Sequence, residues 1–568
     1  MPRRRHFPIS NAGGPPNCAQ RTQLIAKRLT RFYPFTLAIV PILYMVASRP
    51  SQASLDDLAL VLAAVLIGCA ILYLATALVV RGPLRSRVPS LTVFFAVLWF
   101  YCYAKLATHL GRHLGGHPHI ILVPLGLALT LVTARVLMAR PGWLDRMAAF
   151  LTLTGGLLTV VNGARILYGS WRSQEELRHS AVVRALAAPI PIREGFEPQP
   201  KRDIYLIVLD EYANADDTQE QFGFDNRVFE DSLRRIGFYI PPVMRSNYLH
   251  TTLSIPSLLN AALLSGLERE LGPHTSDPTV PNYLVENNRA VTFLKGQGYR
   301  FVFFPSEWWL STRHNRHADV EFQAWPTLSS RELSHTELRR SFRKITILNL
   351  FHTDEPADAE HITRTFAALR RVPGLDRGAP TFAFAHILKP HRPYTFDQEC
   401  RPRRHTSRRE TPPRGQGYIR QLNCINQMTL ELIDTVLRTS KIPPIILLQG
   451  DHGTKTLGAP NMRSVNAITP AAARERFGAF GAYYLPAGGA SVFGDTVTVV
   501  NVLGNVLRYY LGADLRPEPN DLDMSVGRAL YAVRRIDPAW LSRSSASNTR
   551  SRNRVQLDLK PPSPPNSR

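Results

Sequence analysis

The fold of this 568-residue chain is indicated most directly by the stretch Pro444-Ile445-Ile446-Leu447-Leu448-Gln449-Gly450-Asp451-His452-Gly453. Its apolar run is typical of a strand buried on both faces, as in the parallel sheet of an α/β domain. Asp451 and His452 follow at the carboxyl end of the run, where open α/β sheets bind their ligands. An acidic oxygen and an imidazole nitrogen both suit a divalent cation, so the pair is a candidate half of a metal site. The competing interpretation is an ordinary turn after a strand.

An earlier segment repeats this arrangement and supplies the other candidate half. Residues 203–209 form a second buried-strand pattern, and two acids, Asp210 and Glu211, follow it. Because adjacent residues on a strand face opposite sides, one of the two is expected to bind a metal. We favour Asp210, which directly ends the apolar run, and keep Glu211 as the alternative.

Hydroxyl side chains precede an apolar stretch at helical spacing within residues 246–260, after a helical pattern over 226–236. The candidates are Thr251, Thr252 and Ser254. Such residues commonly cap a helix, and capping needs no chemistry. A hydroxyl at a helix N-terminus beside a cation is also well placed to become an alkoxide nucleophile.

A third strand pattern, within residues 381–394, carries His386 and leads into a proline-bounded loop with His391. A single histidine after a strand is usually a core residue. Here two histidines share one short segment with Lys389 and Arg392, a composition that suits an anionic substrate.

In this order the motifs resemble those of the alkaline phosphatase/sulfatase superfamily, most closely its membrane-anchored branch of phosphoethanolamine transferases and lipoteichoic acid synthases. The resemblance covers residues 203–486 and rests on a strand ending in an acid, Thr-x-x-Ser-x-Pro, His-x-x-x-x-His and Asp-His-Gly. In that branch an acid, a threonine nucleophile, an aspartate and a histidine bind one divalent metal. The resemblance therefore implies four metal ligands: Asp210, Thr251, Asp451 and His452.

The resemblance also assigns roles to the hydroxyls and histidines. Thr251 matches the threonine nucleophile of the transferases, whereas Ser254 occupies the slot of the sulfatase nucleophile relative to its proline. The second histidine of the family pair faces the substrate phosphate, which implies that role for His391 and makes His386 a further catalytic candidate. Two features depart from the pattern: Thr454 and Lys455 follow Asp-His-Gly, and the later active-site histidine of the transferases has no counterpart.

Residues 400–404 match the Cys-x-Pro-x-Arg signature whose cysteine becomes formylglycine in sulfatases, but they lie about 190 residues after Asp210, in an arginine-rich loop. A catalytic cysteine should instead open the helix behind the first strand, so formylglycine chemistry is not expected. Cys400 and Cys424 are the two cysteines of the predicted exported domain, and we expect them to form a disulfide there.

The N-terminal third is expected to cross a membrane. Apolar stretches of about twenty residues span a bilayer as helices, and five are predicted: 32–47, 58–80, 89–108, 119–138 and 147–168. Residues 1–31 carry seven basic side chains, and the loops at 81–87 and 135–146 carry three arginines each, against one in each alternate loop. This asymmetry predicts a multi-pass protein of the cytoplasmic (inner) membrane, with its N-terminus in the cytoplasm and its catalytic domain periplasmic or extracellular.

The resulting organisation is a basic cytoplasmic segment (1–31), a transmembrane region (32–168), a linker (169–200), an extracytoplasmic sulfatase-like domain (201–540) and a disordered tail (541–568). The fold class of the exported domain is α/β, with a mostly parallel sheet covered by helices on both faces. A net charge of +24 could suggest nucleic-acid binding, but no such motif accompanies it, and a basic surface facing anionic lipid headgroups fits better. The sequence does not indicate an oligomeric state.

The implied activity is a two-step transfer of a phospho-headgroup from a membrane lipid donor to an envelope glycan or lipid acceptor, through a phosphothreonine at Thr251. The implied cofactor is one divalent ion, and mixed oxygen and nitrogen ligands suit zinc or manganese better than calcium. Two alternatives remain open. A membrane-tethered phosphodiesterase or sulfatase-type hydrolase could use the same groups, and a catalytically silent protein could serve envelope assembly.

Overall fold

The computed structural model describes residues 32–48, 55–81, 87–114, 118–306, 312, 314–322, 337–350, 355–375, 378–403 and 414–541. The predicted cytoplasmic segment 1–31 lies outside the described residues, as does the predicted tail beyond residue 541. The remaining chain forms an N-terminal bundle of apolar helices and a C-terminal α/β domain, in agreement with the predicted fold class.

Five apolar helices make up the described part of the N-terminal bundle: α1 (Tyr33–Ser48), α2 (Leu55–Val79), α3 (Val88–Leu114), α4 (His119–Ala139) and α5 (Pro141–His179). Four of them, α2 to α5, are long and apolar enough to cross a membrane. Large apolar side chains on these helices point outward, for example Ile71, Leu125 and Leu153, which are 63%, 61% and 74% exposed. The bundle therefore fits a membrane anchor. The remaining predicted span is α1, a shorter helix of 16 residues.

Helix α5 extends well beyond the predicted span. Its 39 residues correspond to about 58 Å, roughly twice the hydrocarbon thickness of a bilayer. Past the apolar part, pairs one turn apart support the helix: Arg172 with Glu176 at 2.7 Å and Glu175 with His179 at 2.8 Å. The predicted linker 169–200 therefore begins as a continuation of the last apolar helix, followed by the short α6 (Ala181–Leu186).

The α/β domain is organised around a six-stranded sheet of order β4-β3-β5-β1-β6-β7. All neighbouring strands are parallel except β6 and β7, which are antiparallel. Two further pairs, β2 with β8 and β9 with β10, form separate small sheets. The strands are β1 (Ile204–Leu209), β2 (Val243–Arg245), β3 (Arg300–Phe304), β4 (Val320–Glu321), β5 (Thr381–Ile387), β6 (Ile445–Gly450), β7 (Gly481–Tyr484), β8 (Thr496–Thr498), β9 (Leu522–Val526) and β10 (Ala529–Ile536).

Helices cover both faces of this sheet, as the sequence predicts. The helices of the domain are α7 (Ala215–Phe222), α8 (Arg227–Ile236), α9 (Thr251–Asn260), α10 (Leu267–Leu271), α11 (Thr279–Glu286), α12 (Arg289–Gly296), α13 (Glu337–Ile345), α14 (Glu355–Leu369), α15 (Arg414–Thr439), α16 (Pro470–Phe477) and α17 (Val499–Leu511). Helices α9, α12 and α17 bury their apolar sides in one core, and α8, α14 and α15 do so in the other.

The sequence pattern over residues 282–297 is typical of one helix, but the structure has two, α11 and α12, separated at Asn287 and Asn288. The side chain of Asn288 accepts a hydrogen bond from the backbone N–H of Val291 at 2.9 Å. Asparagine is a strong N-cap, so it starts a new helix where apolar periodicity alone suggests a continuous one.

A segment of the α/β domain docks on the helical bundle. Helix α13 places Phe342 against Phe100 and Tyr101, with ring centroids 5.8 and 6.3 Å apart. Arg339 forms an ion pair with Asp57 at 2.7 Å, and both side chains are largely buried. These contacts involve the C-terminal end of α1, the start of α2 and the second half of α3. The α/β domain therefore lies at the end of the bundle where α1 ends and α2 begins.

Candidate active site and metal centre

Three neighbouring strands deliver the central residues of the site to one edge of the sheet. In the register of β1 with β5 and β6, Val208 pairs with both His386 and Gln449. Side chains two residues apart on a strand share a face, so Asp210, His386 and Asp451 come together on the face covered by α9. Their ligand atoms lie within 4.8 Å of one another, and all three residues are buried.

The hydrogen bonds of His452 define its protonation. Its Nδ1 lies 3.2 Å from the carbonyl oxygen of Gly453, and its Nε2 lies 2.8 Å from Nη2 of Arg476. A carbonyl only accepts and a guanidinium only donates, so Nδ1 carries the proton and Nε2 presents a lone pair. Burial holds the pKa of His452 well below its usual value, and the charge of Arg476 adds to this. The neutral ring thus directs Nε2 towards Thr251 Oγ1, at 2.9 Å.

The buried carboxylates of Asp210 and Asp451 receive few hydrogen bonds from the protein. Neither carboxylate oxygen of Asp210 has a hydrogen-bond partner within the described residues, and both are buried. Asp451 accepts from the backbone N–H of Glu211 at 3.1 Å, while its Oδ2 faces the unprotonated Nε2 of His452 at 3.1 Å. Burial raises the pKa of Asp210 well above its usual value, and it raises the pKa of Asp451 to about 6 against a hydrogen bond from Thr251 that lowers it.

The carboxylate oxygens that lack a donor favour the binding of a cation at this position. Buried carboxylates that face each other without donors are unfavourable unless a positive charge lies between them. The donor set of two carboxylates with neutral imidazole nitrogens is one that zinc and manganese accept. Burial lowers the pKa of His386 to about 3, so this ring is also neutral. The residues present therefore fit a divalent metal ion.

Helix α9 places the candidate nucleophile. It begins at Thr251, and the N-cap residue His250 makes no side-chain capping bond. The interpretation of these hydroxyls as helix caps is therefore wrong. Thr251 is buried at the first position of the helix, whereas Thr252 is only half-buried. Ser254 is fully buried and donates to the carbonyl oxygen of Asp451 at 2.7 Å, so it positions a candidate ligand.

Asp210 and Glu211 serve two adjacent parts of the site. Glu211 has a left-handed backbone conformation with φ of 62°, which costs about 1–2 kcal/mol for a residue with a side chain. Its carboxylate Oε2 lies 3.3 Å from Nε2 of His391 and 3.5 Å from Nζ of Lys455. The turn at Glu211 thus separates two consecutive acids, one facing the candidate ligands and one facing a histidine–lysine pair.

The loop after β5 contributes His391 but not its basic neighbours. Nδ1 of His391 lies 2.6 Å from the carbonyl oxygen of Arg392, and Nε2 lies 3.1 Å from Lys455 Nζ. Burial lowers the pKa of His391 to about 4, against the charge of Glu211, which raises it. Lys389 is buried and donates to the carbonyl oxygen of Pro393 at 3.0 Å. Arg392 is exposed and lies over the ring of Tyr394.

The cations that do reach the site, Lys455 and Arg476, are absent from the sequence-based candidates. Arg476 is buried in α16 and lies in no recognisable motif, so no local signal could have identified it. Lys455 could have been identified from the sequence, because it follows the Asp-His-Gly motif by two residues. Its loop is held by Glu475, whose carboxylate accepts from Thr454 Oγ1 at 2.6 Å and from the backbone N–H of Leu457 at 2.8 Å.

Gly453 is explained by the same loop. A side chain at this position would collide with the carbonyl oxygens of Glu475 and Gly478. The glycine of Asp-His-Gly therefore lets the loop pack directly against α16. This contact brings Arg476 and Glu475 beside the candidate ligands.

Replacing Lys455 by methionine is expected to lower kcat/KM for an anionic substrate by about 10²-fold. Removal of one preorganised positive charge from a partly buried site has an effect of that order. Lys455→Arg, which keeps the charge, should retain most of the activity. Arg392→Met is the matched control and should change kcat/KM less than twofold, since Arg392 lies outside the site. Equal losses in the Lys455→Met and Arg392→Met variants would contradict this placement.

A disulfide joins Cys400 and Cys424, with an S–S distance of 2.06 Å. It connects the segment that follows the His391 loop to α15. The sulfur of Cys400 is therefore bonded in this structure and is not a free thiol.

Comparisons with known proteins give structural likenesses of low identity. No family model matches the chain, and no curated protein matches it. The periplasmic domain of EcEptC from Escherichia coli, in complex with Zn, is 11% identical, with 56% of this chain and 84% of that chain covered and a TM-score of 0.36. The periplasmic domain of phosphoethanolamine transferase EptC from Campylobacter jejuni is 12% identical, with 55% and 90% covered and a TM-score of 0.34.

The lipoteichoic acid synthase LtaP from Listeria monocytogenes is also similar, at 11% identity, with 58% of this chain and 77% of that chain covered and a TM-score of 0.33. Likenesses at these TM-scores leave the activity of this chain to be argued from its own residues.

Proposed function

We propose that this protein is a membrane-anchored, metal-dependent phosphotransferase with a sulfatase-like catalytic domain. It would move a phospho-headgroup from a lipid donor to an envelope glycan or lipid, through a covalent phosphothreonine. One observation carries the proposal: the buried hydroxyl of Thr251 lies 2.9 Å from the unprotonated Nε2 of His452, at the sheet edge where Asp210 and Asp451 converge.

In the first step Thr251 Oγ1 attacks the phosphorus of the donor phosphodiester. The bond from phosphorus to Thr251 forms, and the bond from phosphorus to the diacylglycerol oxygen breaks. The carboxylate of Asp451, which accepts a hydrogen bond from Thr251, is the buried acceptor for the hydroxyl proton. Nε2 of His452 has a single lone pair, which a bound metal ion would occupy. The leaving diacylglycerol oxygen takes up a proton, so that charge is balanced. An acceptor hydroxyl then attacks the phosphothreonine and restores Thr251.

The remaining polar groups suit the negative charge of the phosphate. Lys455 and His391 lie together at 3.1 Å on the open side of the cluster, and both retain some exposure. Arg476 holds His452 from the buried side. The positive charge that can face a phosphate is therefore that of Lys455, while Arg476 keeps Nε2 of His452 oriented.

Asp210, Asp451, His452 and Thr251 would hold a zinc or manganese ion, and His386 lies close enough to extend the set. When bound, such an ion would act as a Lewis acid that polarises a phosphate oxygen and lowers the pKa of the attacking hydroxyl. Its charge would also stabilise Asp210, neither of whose carboxylate oxygens has a donor among the described residues, and Oδ2 of Asp451.

The location of this chemistry is proposed from the arginine distribution. A reporter enzyme that works only outside the cytoplasm should be active when fused after residue 180. It should be inactive when fused in the loop 81–87, because that loop carries three arginines and is expected to stay in the cytoplasm. The opposite pattern of reporter activity would reverse the orientation.

The activity is tested by the mass of the protein after incubation with phosphatidylethanolamine and phosphatidylglycerol vesicles and a divalent metal. A transferase should carry a phospho-headgroup adduct on Thr251, and the mass of the adduct would identify the headgroup. Adding a glycan or lipid acceptor should then yield modified acceptor. Free headgroup as the sole product would favour the hydrolase, and absence of both adduct and metal binding would favour the silent assembly protein.

A further inference from the structure

The α/β domain begins within about one helical turn of the aromatic residues expected at the membrane interface. Tyr168 and Trp171 of α5 are 60% and 59% exposed, as aromatic side chains at a membrane interface are. Only two residues beyond Trp171, Ser173 Oγ already contacts Thr279 Oγ1 of the α/β domain at 3.3 Å. One turn of helix therefore separates the expected interface from the catalytic domain.

Helix α13 joins the α/β domain to the bundle. Strands β1, β3, β4 and β5 are parallel, so their carboxyl ends lie at one edge, the edge that carries Asp210. The chain leaves this edge after Glu321, the end of β4. Its next described element is α13, which docks on the bundle through Phe342 and Arg339. The α/β domain is thus fixed to the bundle through α13.

A long apolar groove begins at this docked segment. It lies between α3 and α4 and has a volume of about 490 Å³. On α3 its lining runs from Val88 to Tyr103, a length of about 22 Å at the rise of an α-helix. At the end nearest the catalytic domain it is closed by Ile347, which follows α13 and packs with Tyr103 and Leu122.

The polar groups in this groove are already satisfied. Nε1 of Trp99 donates to Thr130 Oγ1 at 2.9 Å, and Thr92 Oγ1 donates to the carbonyl oxygen of Val88 at 3.0 Å. Gly126 lets the ring of Trp99 lie against α4, since a side chain there would collide with it. The surface that remains is apolar and elongated, which suits a hydrocarbon chain.

We propose that the groove between α3 and α4 binds an acyl chain of the lipid donor, with the headgroup at the Ile347 end. The inference rests on the proposed function, because it names the part of the donor that the catalytic domain does not contact. A chain held there would keep its glycerol end at the end of the bundle on which α13 of the α/β domain is docked. The groove would then select long-chain phospholipids and hold the phosphodiester on the side of the bundle that carries the α/β domain.

The groove is tested with full-length protein in nanodiscs of phosphatidylethanolamine and phosphatidylglycerol that contain a trace of the same lipids with a diazirine in one acyl chain. After irradiation, cross-linked peptides should come mainly from the groove-lining parts of α3 and α4. Ala134→Phe fills the groove and should reduce this labelling about tenfold, as expected for the loss of about two buried methylene groups. Val132→Phe introduces the same side chain at a position of α4 that is 60% exposed and outside the groove, and should leave the labelling unchanged.

Kinetics provide a second readout. Ala134→Phe should raise KM about tenfold for long-chain donors, by the same loss of methylene burial, and leave both KM and kcat for a dihexanoyl donor unchanged. If Ala134→Phe does not fold, Ile347→Gln in the docked segment replaces it and should likewise raise KM for long-chain donors. Labelling spread evenly over lipid-facing residues, or equal effects of Ala134→Phe and Val132→Phe, would overturn the proposal. Labelling by an acceptor lipid in place of the donor would also overturn it.

The labelling does not depend on turnover. A protein that labels in the groove but forms no adduct on Thr251 would refute the proposed function and leave the lipid site intact. A protein that forms the adduct without groove labelling would refute the lipid site alone.

Discussion

Thr251→Ala is expected to abolish both turnover and the covalent phospho-adduct, with a loss in kcat of at least about 10³-fold, as is typical when a catalytic nucleophile is removed. The reason is that no other hydroxyl occupies its position. Ser254 Oγ is committed to the carbonyl oxygen of Asp451, and Thr252 is only half-buried on the next position of the helix. The measurement is intact-protein mass after incubation with lipid vesicles, together with product release.

The controls use the neighbouring hydroxyls. Thr251→Ser keeps the attacking oxygen and should restore the adduct in part. Thr252→Ala should retain substantial activity, because its side chain makes no contact with His452. A folded Thr251→Ala protein that still forms an adduct would refute the assignment, and loss of all catalysis in Thr252→Ala alone would move the nucleophile by one residue.

Asp451→Asn is expected to eliminate metal binding and turnover while leaving the metal-free protein as stable as the wild type, or more so. Asparagine keeps an oxygen that can accept from the backbone N–H of Glu211, as Asp451 does at 3.1 Å. It removes one of two buried carboxylates whose mutual repulsion and burial raise the pKa of Asp210. The variant therefore loses a ligand charge that is unfavourable without a cation.

The measurement is thermal unfolding with chelator, zinc or manganese, combined with metal analysis. Wild-type protein should gain about 4 kcal/mol at a thousandfold excess of metal over its Kd, and Asp451→Asn should gain almost none. Glu321→Gln changes an acid at the end of β4 that is remote in sheet order from the cluster and should respond to metal like the wild type. An equal metal-induced shift in Asp451→Asn would show that the ion binds elsewhere.

Much of the fold could be predicted from the sequence because its signals are local. Residues 445–448 are apolar at every position, which is typical of a strand buried on both faces, and β6 begins there. The apolar helices are equally plain, since a bilayer demands length and apolarity. Boundaries were predicted less well, because polar pairs such as Arg172 with Glu176 extend α5 without any apolar periodicity.

The site divides in the same way. Asp210, Asp451, His452 and Thr251 stand beside strand ends and a helix start, and their order along the chain, with the resemblance that it carries, made them the predicted ligands. Whether two adjacent acids diverge depends on the left-handed turn at Glu211, a conformation that no residue type at that position announces.

By itself, the sequence determined the membrane anchor, the α/β class and the strand ends that carry the acids, because hydrophobic periodicity and strand-end placement are properties of neighbouring residues. The tertiary structure alone decided which cations complete the site. Arg476 reaches His452 through the packing of α16 against Gly453, and Lys455 displaces the predicted Lys389 and Arg392. It also decided that the segment after β4 docks on the bundle. Such contacts join residues far apart in the chain, and their free energy comes from burial and charge pairing that exist only once the elements have packed.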